Sequence, residues 1–115
     1  MAYNQVLKDR VKTALTHAPH VEEKQMFGGI AFMVNGKMCI SVGKDRIMCR
    51  IDPAIHGQAL KRKGCETVKM RGREYRGFVY VNEDGLRLKR DFDYWISLSL
   101  DFNNRAKISK KRKKE

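Results

Sequence analysis

Leu7, Val11, Ala14, Leu15 and Ala18 recur at helical spacing, with Lys8, Asp9, Arg10 and Lys12 opposite them. That pattern predicts an amphipathic helix over residues 4–17. Asn4 is a natural cap, and Pro19 stops the helix because the residue before a proline is driven to extended geometry. From Val21 onward the period changes. Residues 22–27 and 30–34 read as strands around Gly28-Gly29, a place for a bend or bulge where a side chain would obstruct the backbone. Residues 30–34 and 37–42 flank Asn35-Gly36, the strongest short hairpin signal, since both turn positions need positive φ. A two-residue turn there pairs Val34 with Lys37, Met33 with Met38, Phe32 with Cys39 and Ala31 with Ile40.

A further turn at Gly43-Lys44-Asp45 leads into a strand over residues 46–51. Asp52 and Pro53 supply a cap and a first helical residue for a short helix reaching about Lys63, weakened by Gly57 and ended by Gly64. Strands over 66–70 and 77–81 follow, joined by a basic turn around Gly72, and residues 82–85 form a turn. A last helix begins near Arg90 or Asp91, its buried stripe being Phe92, Trp95, Ile96, Ser99 and Phe102. Short adjacent strands joined by tight turns imply antiparallel pairing. The expected class is α+β, a two-layer domain with helices on one face of a curved antiparallel sheet.

The predicted hairpin carries apolar residues on both faces. Ile30, Phe32, Val34 and Cys39 take one side; Ala31, Met33, Met38, Ile40 and Val42 take the other. Helices cover one face, so the second asks for another cover, and a symmetric copy supplies it. A homodimer is therefore expected.

Charge alters this picture. The 115 residues hold 25 Lys and Arg against 13 Asp and Glu, a formal +12. Half of that excess lies in residues 105–115, which include the run Lys110, Lys111, Arg112, Lys113 and Lys114. The folded domain is expected over 1–104, with 105–115 a disordered basic tail. Such a tail either contacts nucleic acid through phosphate neutralisation or merely keeps the chain soluble. A second concentration comprises Lys61, Arg62, Lys63, Lys69, Arg71, Arg73 and Arg76, with Tyr75, Phe78 and Tyr80 close by. Cations beside aromatic rings suit nucleic acid, although the Phe78–Val81 alternation suits a strand core equally. The candidate nucleic-acid-binding residues are thus Lys61, Arg62, Lys63, Arg71, Arg73, Arg76, Lys110, Lys111, Arg112 and Lys113.

Candidate chemistry is sparse. Cys39, Cys49 and Cys65 form no Cys-x-x-Cys element, and His17, His20 and His56 form no paired ligand motif. No metal and no cofactor is expected, since Gly28-Gly29 lacks the spaced glycines of a phosphate loop. The longest uncharged apolar stretch, residues 26–34, falls far short of the ~18 residues a membrane span needs. With no export signal visible, three cysteines point to a reducing, cytoplasmic setting and buried thiols. Hydrolysis needs a nucleophile–histidine or carboxylate pair, and none can be identified.

The string Met26-Phe27-Gly28-Gly29-Ile30-Ala31-Phe32-Met33-Val34-Asn35-Gly36-Lys37-Met38-Cys39 closely resembles the N-terminal domain of the TfoX/Sxy family. The likeness continues through Arg50-Ile51-Asp52-Pro53, Met70-Arg71-Gly72-Arg73 and Gly77-Phe78-Val79-Tyr80-Val81, covering residues 1–104. It implies a bacterial or archaeal protein with a fold similar to secretion chaperones, ordered helix, three strands, helix, two strands, helix. That order agrees with the pattern above if residues 22–27 and 30–34 form one bent strand. The resemblance makes Phe27, Gly28, Gly29, Asn35, Gly36 and Gly77 motif residues of structural type, and it carries over no catalytic residue. Longer members are competence regulators acting with a transcription activator at promoters, and bear a C-terminal helical domain that is not expected here. The leading expectation is a noncatalytic regulatory or adaptor domain that binds protein, with nucleic-acid contact. The alternatives are a small-molecule or metal-dependent enzyme using a pocket near Gly28-Gly29 and Cys39, and a chaperone-like peptide-binding module.

Overall fold

The computed structural model describes residues 4–18, 20–26 and 29–105. Helix α1 (Gln5–Ala14) starts where Asn4 Oδ1 accepts the Leu7 N–H at 3.0 Å. It ends earlier than expected. The Leu15 N–H is shared between the Val11 and Lys12 carbonyls, and Thr16 Oγ1 donates to the Thr13 carbonyl at 2.7 Å. Those tighter bonds close the last turn before residue 17.

Six strands form one open sheet in the order β1-β2-β3-β4-β6-β5. They are β1 (Val21–Met26), β2 (Gly29–Val34), β3 (Lys37–Val42), β4 (Arg46–Arg50), β5 (Cys65–Met70) and β6 (Arg73–Asn82), every neighbouring pair antiparallel. The class is α+β, as the pattern implied. The single bent strand is not found, however. β1 pairs with β2 from Val21↔Val34 to Met26↔Gly29, so the two are arms of a hairpin. β1 is the polar outer arm, and Glu22, Glu23, Lys24 and Gln25 are all exposed, the composition that suits a sheet edge.

The Asn35-Gly36 turn has φ of 55° and 76°, and Val34↔Lys37 and Met33↔Met38 pair as expected. The register then shifts, so that Phe32 meets Ile40 rather than Cys39, and Ala31 meets Ser41 rather than Ile40. Since side-chain direction alternates along a strand, one extra residue turns Ile40 and Val42 onto the helix side. Both belong to the main core, which corrects their expected place on the opposite face.

After β4, Asp52 Oδ1 accepts the Ala54 N–H at 2.9 Å and starts a 3-10 turn, Pro53–Ile55. Helix α2 (His56–Ala59) is one turn long and stops short of the expected Lys63. The expected turn over 82–85 is instead a short helix, α3 (Glu83–Leu86), capped by Asn82 Oδ1, which accepts the Asp84 N–H. Helix α4 (Lys89–Asn103) buries Phe92, Trp95, Ile96 and Ser99 as expected, but its fifth buried position is Asn103, while Phe102 is half-buried.

Helices α1 and α4 lie over the central strands. Val11, Leu15, Phe32, Ile40, Ile47, Ile51, Leu86 and Trp95 fill the space between the layers. The helix-free face holds a smaller cluster of Ala31, Met38, Met48 and Val68, each buried within the single chain, with Met33, Phe78 and Tyr80 half-buried around it. Among the described residues no helix is long and apolar enough to cross a membrane.

Candidate functional site

The basic segment that looks continuous in sequence is split by the fold. Lys61, Arg62 and Lys63 sit in the turns after α2, at the start of β5, whereas Arg71, Arg73 and Arg76 lie at its far end. Six strand residues separate the groups by roughly 20 Å. Arg62 is also engaged within the molecule. Its guanidinium lies 3.7 Å from the centre of the Tyr94 ring and 3.6 Å from Asp91 Oδ1. Lys61 and Lys63 are exposed.

The second group occupies a two-stranded ribbon. Met70 pairs with Arg73 around a turn in which Arg71 and Gly72 have φ of 53° and 78°. That is the same backbone solution as Asn35-Gly36, with both turn residues left-handed. Side chains on a strand alternate between faces, yet Arg73, Glu74, Tyr75 and Arg76 are all exposed. Neither face of this end of β6 is therefore covered by the body of the domain. Tyr75, at 38% exposure, is among the few large apolar side chains left open to water.

The base of the ribbon is irregular. Thr67 pairs with Val79 and Lys69 with Glu74, so β6 spends extra residues opposite Val68. Gly77 lies in that excursion at φ 94°, a conformation that a side chain disfavours. Its carbonyl accepts the Ile51 N–H at 2.8 Å. Its N–H, lost to the ladder, donates to His56 Nδ1 at 2.9 Å. His56 is 2% exposed, and its Nε2 lies 2.9 Å from Thr67 Oγ1. Since Nδ1 accepts, Nε2 carries the proton and donates to Thr67. One buried imidazole thus joins β5, β6 and α2 where the sheet ladder is broken. Glu74 Oε2 stands 3.9 Å from the same Nε2 and so turns towards the body. Nothing singled out His56 in the sequence. The available signal was its place one turn before Leu60, on the apolar side of α2.

The remaining motif residues hold the sheet together. A Cβ on Gly29 would overlap the Val42 carbonyl oxygen, so β2 and β3 approach each other only with glycine there. The Asn35-Gly36 turn is clasped by the end of α4. Asn103 Nδ2 donates to the Val34 carbonyl at 3.0 Å, Asn35 Nδ2 donates to Asn103 Oδ1 at 3.4 Å, and Lys37 Nζ donates to the Asn103 carbonyl at 2.6 Å. A cation on the last carbonyls of a helix also meets the negative end of its dipole. Phe27, Gly28 and the tail residues Lys110, Lys111, Arg112 and Lys113 lie outside the described residues. Arg105, at the foot of the tail, donates to Asp52 Oδ2 at 2.8 Å and to Asp101 Oδ2 at 3.2 Å. The Ala54 N–H and the Arg105 guanidinium together hold the Asp52 carboxyl below its ordinary range.

Cys39 and Cys49 both belong to the main core, and Cys65 packs half-buried against it. Burial pushes the Cys39 and Cys49 thiols up to about 12 and the Cys65 thiol up to about 11. Protonated and enclosed, these sulfurs are poor nucleophiles and poor ligands at neutral pH. Among the described residues no group of three or more His, Cys, Asp or Glu is arranged to hold a metal ion. What the arrangement leaves open to solvent is the cationic end of the β5–β6 pair, above a base bonded through His56.

A family model described as the TfoX N-terminal domain matches residues 13–103. No curated protein and no solved structure matches the chain.

Proposed function

Since the chain belongs to the TfoX N-terminal domain family, whose members are regulatory domains of the competence type, we propose that it is a noncatalytic regulatory or adaptor domain. It acts by binding a protein partner, such as a transcription activator, and by contacting nucleic acid through its basic residues. The family match over residues 13–103 carries the regulatory reading. The exposed cations Lys61, Lys63, Arg71, Arg73 and Arg76 support the nucleic-acid part. The basic tail adds Lys110, Lys111, Arg112 and Lys113 as nonspecific phosphate contacts. A cytoplasmic setting agrees with free thiols at Cys39, Cys49 and Cys65.

Self-association through the helix-free sheet face belongs to the same reading. Met33, Phe78 and Tyr80 remain half-buried there and gain a cover from a second copy. Sedimentation at high micromolar concentration should show a dimer; a monomer throughout removes that part.

Nucleic-acid contact is tested by titrating the chain into duplex and single-stranded DNA over a range of salt. Affinity should be highest near ~50 mM salt and fall steeply above it, because phosphate contacts release counterions. Absence of binding at the lowest salt removes the nucleic-acid component.

A further inference from the structure

Resting on the reading of this domain as one that contacts nucleic acid, we propose that the β5–β6 ribbon is the element that does so, by entering the major groove of duplex DNA. Three observations carry the proposal. The first is charge without cover. Residues 69–76 hold Lys69, Arg71, Arg73 and Arg76 against a single acid, Glu74, and every one of these cations is exposed. Glu74 Oε2 lies 3.9 Å from His56 Nε2, and the four cations against this one acid leave residues 69–76 with a net charge of +3.

The second is shape. Regular pairing beyond the irregular base comprises Lys69↔Glu74 and Met70↔Arg73, with Arg71-Gly72 at the tip. Three residues of strand reach about 10 Å, close to the ~8.5 Å depth of the B-form major groove, and that groove is wide enough for a two-stranded ribbon. The minor groove, at about 6 Å, is not, and the major groove of A-form RNA is too narrow for side chains to read. The third is rigidity. The left-handed turn at Arg71-Gly72 and the His56 bond to the Gly77 N–H define the backbone at the tip and the base, so ordering on binding falls on the arginine side chains rather than on the chain that carries them. Arg71 and Arg73 would meet guanine edges or phosphates at the groove floor and rim, while Lys61 and Lys63 stand far enough away to reach a neighbouring phosphate run.

The test uses the full chain and a fluorescent 20-base-pair duplex DNA at ~50 mM salt. The Arg71→Gln/Arg73→Gln double variant changes two exposed side chains, so its circular dichroism should match that of the parent. It should bind at least tenfold more weakly, with a salt dependence shallower by about two logarithmic units per decade. A second variant, Lys110→Gln/Lys111→Gln/Arg112→Gln/Lys113→Gln, should retain the preference for duplex DNA over duplex RNA and single strands. Methyl green, a major-groove ligand, should compete, and distamycin, a minor-groove ligand, should not. Undiminished binding by the ribbon variant, competition from distamycin alone, or equal affinity for duplex RNA and duplex DNA would each overturn the ribbon assignment while nucleic-acid contact stands. Failure of the parent chain to bind any of the three nucleic acids would overturn both.

Discussion

A methyl group added at Gly29 would collide with the Val42 carbonyl, a backbone atom of the paired strand that has nowhere to move. Gly72 is the opposite case: φ is 78°, but nothing lies within 4 Å of its missing Cβ. Gly72→Ala therefore meets only the left-handed backbone cost, about 1 kcal/mol. Gly29→Ala forces two strands apart and should cost about 3 kcal/mol, the upper end of overpacking. Urea unfolding of both variants checks the contrast, and equal losses would refute it. The cysteines give a pH-dependent prediction. Burial holds Cys39 and Cys49 up to about 12 in the fold, against about 8.5 in an unfolded chain. Between those values the folded chain keeps protons that the unfolded chain releases. Their contribution is therefore whole below about pH 8.5 and is lost as pH rises towards 12. Iodoacetamide at about pH 8 should leave Cys39 and Cys49 unmodified until denaturant is added, with Cys65 the first to react. Prompt modification of Cys39 and Cys49 in the native chain would contradict the packing described.

Among the elements, the Asn35-Gly36 hairpin was legible because two adjacent residues that tolerate positive φ leave few other readings. Its bulge was not. An extra residue at Cys39 changes no local preference, and only the packing of Ile40 and Val42 against the helices selects it. The glycines around residue 28 suggested a bend, whereas pairing between Val21 and Val34 makes the polar stretch before them a separate edge strand. Helix α3 escaped because Asn82, Glu83, Asp84 and Gly85 suit a turn as well as a capped helical turn. The clasp of Asn103 on the hairpin lay beyond any local pattern, joining residues 69 apart. It makes a prediction at this scale. Asn103→Ala removes one donor from the Val34 carbonyl and the acceptor of the Asn35 amide, and should cost about 1 kcal/mol. Amide exchange at Asn35, Gly36 and Lys37 should quicken more than exchange in β4. Uniform quickening would mean that Asn103 supports the whole fold rather than this turn.

At the scale of the molecule, charge arithmetic located the cations but not their grouping. One run from Lys61 to Arg76 became two sites at opposite ends of β5, with Arg62 absorbed into contacts with Asp91 and Tyr94. The candidate site was thus half legible: the residue types were readable, while the projecting ribbon and the histidine at its base required the three-dimensional pairing. The proposed function requires the cations of residues 61–76 to contribute beyond the charge of residues 105–115. Amide chemical-shift mapping of the full chain titrated with duplex DNA tests that most directly. The largest shifts should fall on residues 69–76, with smaller ones at Lys61 and Lys63. Shifts confined to residues 106–115, with the ribbon unmoved, would contradict it.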